Sequence, residues 1–198
     1  MPKGKALRRA IAHLLVGSAC VAVILAAPHW LAVLLFATGA AFFLLMDLSR
    51  LEGLALFRPF SGLYELFLKL GEQRSLSGAF YFLAGTLIST AAFDRQIAAA
   101  SILFLTWADP AASLTGRILG RTHLWNDKTL EGSLACLWAC ALVAVALFFS
   151  GTITQAWVLV AGVVSTTVLE ALPWPLDDNL SLPVGSAVVM LAVSLLAN

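Results

Sequence analysis

The sequence predicts an all-α fold: a polytopic membrane helical bundle of about seven transmembrane helices with a cytoplasmic N-terminus. Three observations carry that expectation. Of 198 residues, 61% are hydrophobic and only 12% charged, and the mean hydropathy is +0.93, far outside soluble composition. The apolar runs are of spanning length, ~20 residues for ~30 Å of hydrocarbon, which is too long for barrel strands and leaves helices as the structure lipid tolerates. The third observation is charge placement. With the N-terminus inside, Arg95 alone of the 12 Lys and Arg residues falls on the outer side, a strong positive-inside pattern. Residues 1–198 read as one integral-membrane domain with short connections and no soluble appendage.

Spans are expected at about 10–27, 30–48, 76–92, 96–116, 132–150, 154–171 and 181–197. Lys3, Lys5, Arg8 and Arg9 precede the first. That run is long and Pro28 spoils Ala26-Ala27 as a cleavage context, so an uncleaved anchor is expected. Arg9 and His13 share a helix face, as an interfacial anchor or as a phosphate contact. Asp47 and Arg50 close the second span at a spacing that pairs. The segment 51–75 is the longest connection, and Glu65 with Lys69 suits a helix lying in the interface or a packed connector. Glu72 sits at its end. Gly78 and Gly85 in the third span permit close helix approach. Cys20, Cys136 and Cys140 lie in apolar runs without zinc or redox spacing and read as packing residues.

The acids are as one-sided as the bases: Asp94 alone of 11 Asp and Glu is outside. A transporter more often places polar groups at mid-membrane and at both mouths. One-sidedness suits an enzyme that joins a cytosolic reagent to a membrane-dissolved one, and a net charge of +1 gives no cause to expect nucleic acid.

The fourth span carries the central residue. Asp109 lies ~12 Å along the helix from Arg117, and a carboxylate at that depth is by default functional. Pro110 removes a backbone donor, so a kink is expected there. Asp109, Ser113, Gly116, Arg117 and Gly120 recur at helical spacing along one side, with the two glycines leaving room for a bulky polar ligand. Beyond them, Thr129 reads as the N-cap of the fifth span and Glu131 as a complement to its dipole. Lys128 does not fit that reading, because a cation at a helix N-terminus is better placed opposite phosphate. Gly162, Thr166 and Glu170 share a face of the sixth span. Asp177-Asp178-Asn179 then serve as an N-cap for the last span or as oxygen ligands for a hard cation.

Asp109 with Gly116 and Gly120, the run Lys128-Thr129-Leu130-Glu131-Gly132, and Glu170 followed by Asp177 to Pro183 together resemble the CTP-dependent lipid-alcohol kinases. That family comprises dolichol, phytol, farnesol and diacylglycerol kinases and is related to the phosphatidate cytidylyltransferases. Arg9 with His13, and Glu72 followed by Ser77 to Gly85, are similar to further motifs of the family. Ala10 and Ala108 stand where the family commonly has lysine and glycine.

The resemblance implies transfer of the terminal phosphoryl group of CTP to a polyprenol, dolichol, phytol, farnesol or diacylglycerol in the bilayer, and the charge placement puts the site at the cytoplasmic face, which in a bacterium is that of the inner membrane. CTP rather than ATP comes from the resemblance alone. The expected roles are Mg²⁺ or another divalent cation held by Asp109, Asp177 and Asp178, and phosphate neutralisation by Lys128 and Arg117. Arg9, Ser113, Gly116, Gly120, Thr129 and Asn179 line the nucleotide. Glu131 or Glu170 orients the alcohol or a ribose hydroxyl, with His13 and Glu72 nearby. No P-loop or soluble-kinase glycine loop is present. The alternative within membrane enzymes is a cytidylyltransferase making a CDP-lipid.

Overall fold

The structure, a computed structural model, describes residues 3–53, 75–125, 128–173 and 175–196. The expected interfacial helix of 51–75, with Glu65, Lys69 and Glu72, lies outside the described residues, as does Asp127. Seven helices lie within them: α1 Lys3–Ala26, α2 His29–Leu51, α3 Gly78–Ala92, α4 Arg95–Leu119, α5 Leu130–Phe149, α6 Ala156–Ala171 and α7 Asp178–Leu196. No strand forms among the described residues beyond an isolated antiparallel bridge between His123 and Thr129.

The all-α class and the helix positions are as expected, and the chain is an integral membrane protein. Five helices, α1, α2, α4, α5 and α7, are long and apolar enough to cross a bilayer. The other two, α3 with 15 residues and α6 with 16, extend only ~22–24 Å at ~1.5 Å per residue. Their buried faces carry hydroxyls: Thr86, Ser89 and Thr90 on α3, Thr166 on α6. Thr86 and Thr90 satisfy their hydroxyls on the carbonyls of Phe82 and Thr86, one turn back.

α4 is the central helix. Ala98, Ala99, Ala100, Ile102, Phe104, Leu105 and Ala108 are wholly buried along it, and α1, α3, α5, α6 and α7 all pack against it. One apolar cluster joins it to α5, α6 and α7 through Phe104, Cys136, Cys140, Val158 and Met190. A second joins it to α1, α2 and α3 through Ile24, Phe36, Phe82 and Leu105, with Leu182 of α7. The helix runs through Pro110 without a break. The proline ring is buried, and the Thr106 hydroxyl, near the lost hydrogen bond, donates to the Ile102 carbonyl at 2.6 Å.

The end of α2 meets the start of α3, and the ends of α4 and α6 meet the starts of α5 and α7, at one end of the bundle. Asp47, fully buried at the close of α2, accepts 2.8 Å hydrogen bonds from the backbone N–H and hydroxyl of Ser77, the N-cap of α3. Arg50 pairs with Asp47 at 2.9 Å as the spacing predicted, and it also donates to the Ser75 carbonyl at 2.6 Å. At the opposite end Arg95, the outlying basic residue of the sequence, donates to the Leu25 and Ala27 carbonyls at 2.9 and 2.8 Å. These are unsatisfied acceptors at the end of α1, where a cation complements the helix dipole.

Candidate active site

The site grows from the start of α5. Thr129 is its N-cap, as expected, accepting from the Gly132 N–H at 3.2 Å. The preceding loop folds back on that cap. Leu130 N–H reaches the Thr122 carbonyl at 2.9 Å, Leu124 N–H the Lys128 carbonyl at 3.0 Å, and Lys128 N–H the Trp125 carbonyl at 2.9 Å. Trp125 donates its indole N–H to the Ala171 carbonyl at 2.7 Å, pinning the loop to the end of α6. Glu131 accepts from the Thr122 N–H through both carboxylate oxygens, at 3.2 and 3.3 Å. Its carboxylate therefore organises the loop.

This framework aims Lys128 at two acids from two other helices. Its Nζ lies 2.6 Å from Asp178 Oδ2 at the start of α7 and 3.2 Å from Glu170 Oε1 near the end of α6. Glu170 is held in turn by the Ser133 hydroxyl, which donates to Oε2 at 2.8 Å. Burial works against the charge on Lys128, but Asp178 and then Glu170 more than offset it, so the ammonium titrates above the ordinary lysine value. Lys128 is thus a fixed cation in the neutral range.

Asp109, Ser113, Gly116 and Gly120 share one face of α4, as the spacing predicted. Gly116 and Gly120 differ from expectation in use. A Cβ on Gly116 would lie 2.9 Å from Thr129 Oγ1, and one on Gly120 would meet the Gly116 carbonyl and, at 2.8 Å, the Thr129 methyl. Gly132 likewise comes within 3.0 Å of the Ala112 carbonyl. The space these residues leave is filled by the α5 cap, which brings α4 and α5 together and sets Lys128 at the mouth. Asp109 lies on the same face ~10 Å further in than Gly116. Arg117, one residue beyond Gly116, is exposed.

The acids before α7 divide their duties. Asp177 takes the capping role: its carbonyl accepts from Leu180 and Ser181, both at 3.0 Å, and its Oδ1 accepts the Asn179 backbone N–H at 3.0 Å and side-chain Nδ2 at 2.8 Å. Asp178 takes the ion pair. The expected metal set of Asp109, Asp177 and Asp178 is not gathered into one cluster, since among the described residues no three His, Cys, Asp or Glu side chains come together as a metal-holding group. The physical reason is that Asp177 is drawn to its helix cap and Asp178 to Lys128. On α1, His13 sets its ring edge-on to Phe82 of α3, with centroids 5.2 Å apart, and Arg9 lies one turn from it towards the N-terminus. Glu72 lies outside the described residues.

Ser133 and Trp125 were not singled out from sequence. The only signal for Ser133 is its place one turn after the N-cap on the buried face; that for Trp125 is an indole stranded in a polar loop.

No family model and no solved structure matches the chain. Two curated proteins do. The CTP-dependent diacylglycerol kinase 1 of Schizosaccharomyces pombe is 29% identical over 158 residues, 73% of this chain and 72% of that protein. The protein of the same name from Eremothecium gossypii is 28% identical over 113 residues, 56% of this chain but only 35% of that protein. These matches make the chain similar to CTP-dependent diacylglycerol kinases, which supports the resemblance to the CTP-dependent lipid kinases.

Proposed function

We propose that this protein transfers the terminal phosphoryl group of CTP to the hydroxyl of a membrane lipid alcohol, diacylglycerol by the names of its relatives, at the cytoplasmic face. The observation that carries the reading is the Lys128 ammonium, fixed between Glu170 and Asp178 at the end of the α4 face that bears Asp109. Other lipid alcohols, polyprenol, dolichol or phytol, are accommodated by the same chemistry, since the polar groups of the site act on the phosphates and the hydroxyl.

Phosphoryl transfer passes through a loose transition state, so positioning and charge neutralisation matter more than a strong base. The alcohol oxygen bonds to the γ-phosphorus while the bond from that phosphorus to the bridging oxygen breaks. CDP leaves, and the hydroxyl proton is released. Lys128 neutralises the transferred group, and Arg117, exposed at the mouth, meets the nucleotide phosphates. Glu170 and Ser133 keep the lysine in place, and Glu131 keeps its loop in place.

A divalent cation of the magnesium type is ordinarily held by one or two carboxylates and completed by substrate phosphates rather than by an all-protein cage. Asp109 and Asp178 would hold it, and it would supply charge neutralisation at the phosphates. Chelation is then expected to abolish transfer, with activity returning on addition of Mg²⁺.

Label position tests the reading. With purified protein, diacylglycerol vesicles and CTP labelled at either phosphorus, γ-label is expected in phosphatidate and α-label in soluble CDP. Label from the α-position in the lipid, with pyrophosphate released, would assign a cytidylyltransferase instead.

A further inference from the structure

The kinase reading leaves one locked, buried acceptor without an assignment. Asn179 is 4% exposed, and its side-chain Oδ1 has no hydrogen-bond partner among the described residues. The orientation of its amide follows from chemistry. A carboxylate only accepts, so the end of the amide that meets Asp177 Oδ1 at 2.8 Å must be the NH₂. The carbonyl end therefore points away from Asp177, and its oxygen is buried. A buried acceptor left unmet costs on the order of 1–3 kcal/mol, and the Asp177 clamp prevents the amide from turning to relieve it.

Its depth indicates what kind of donor arrives. A Cβ on Gly85 of α3 would fall 2.5 Å from the backbone carbonyl oxygen of Asn179 and 3.1 Å from Pro183 Cγ. Gly85 is seven residues into α3, so Asn179 lies beside the middle of that helix, ~10 Å inside its first turn. A phosphate oxygen is excluded as partner, since two acceptors repel. A ribose or base donor enters with the nucleotide from water, whereas the hydroxyl of a lipid alcohol enters from the apolar side, and Asn179 is buried beside the middle of α3.

We infer that Asn179 Oδ1 accepts the hydrogen bond of the lipid alcohol hydroxyl and orients its oxygen for attack, with Asp177 as the residue that fixes the amide. The inference rests on the kinase reading and replaces the nucleotide contact expected for Asn179 from sequence. It also gives the adjacent residues separate duties: Asp178 on the phosphate side and Asn179 on the alcohol side.

The test measures binding to vesicles in the absence of CTP. The ligands are diacylglycerol and a propanediol diester of the same acyl chains, which lacks the free hydroxyl. Wild-type protein is expected to bind diacylglycerol about tenfold more tightly, the worth of one buried hydrogen bond, and Asn179→Leu is expected to lose that discrimination. In turnover, Asn179→Leu should raise the KM for diacylglycerol or lower kcat at least tenfold, with the KM for CTP and the Mg²⁺ midpoint unchanged. Equal binding of the two lipids by wild type would overturn the inference without any variant having to fold. So would discrimination retained in Asn179→Leu, or a shifted Mg²⁺ midpoint. A wild-type protein that forms no lipid phosphate from CTP would instead remove the kinase reading itself.

Discussion

At the scale of single residues, the site depends on one lysine and on what holds it. Replacing Lys128 with Met leaves Glu170 and Asp178 facing each other without their shared cation, and transfer is expected to fall about 10³-fold, the low end of the range for losing a charge-stabilising cation in phosphoryl transfer. Glu170→Gln and Ser133→Ala act through the same ammonium, so their effects should not add. A double-mutant cycle on kcat is expected to show coupling of at least ~0.5 kcal/mol, and strict additivity would separate Ser133 from the lysine. The sign of the pH effect follows from the raised pKa of Lys128. Stability from its ion pairs is complete below the ordinary lysine value of 10.5 and is lost only as pH rises through the higher folded value. Thermal midpoints of wild type and Lys128→Met should therefore differ by a constant amount across the neutral range and converge only in strong alkali. Lys128, Glu170 and Asp178 were legible in the sequence because a charge beside an apolar span calls for a reason. Ser133 was not, because a serine in a helix satisfies itself on its own backbone and gives no sign of a distant partner. The division of labour between Asp177 and Asp178 was equally hidden, since either could have capped α7.

At the scale of elements, the α4 and α5 contact sets the height of the lysine. Gly116, Gly120 and Gly132 let the Thr129 cap sit directly against α4, so a side chain there pushes away the loop that carries Lys128. Gly116→Leu is expected to destabilise the protein by about 1–3 kcal/mol, as overpacking does. Thr129→Ala should cost about 1 kcal/mol for the cap alone, and thermal unfolding in detergent measures both. Helix positions were readable from hydropathy and from the prolines and caps at their ends. The use of the glycines was not: close helix approach and room for a ligand leave the same trace in a sequence.

At the scale of the molecule, the polar groups collect at one end of an apolar bundle, and the proposed orientation puts that end in the cytoplasm. Cys20, Cys136 and Cys140 are buried, so a thiol introduced by Arg121→Cys or Trp30→Cys gives a clean signal. Impermeant reagent is expected to label Arg121→Cys in inside-out vesicles and Trp30→Cys in right-side-out ones, and the reverse would invert the topology. The all-α class was legible because lipid allows so few structures. The order of packing was not, since α3 meeting α7 and α4 becoming the central helix depend on shape complementarity that apolar composition does not encode. The most direct test of the central claim is the rate at which γ-label from CTP enters diacylglycerol with purified wild type and with Lys128→Met side by side. The account expects labelled phosphatidate from the first and about a thousandth of that rate from a folded variant. Equal rates, or no labelled lipid from wild type, would contradict it.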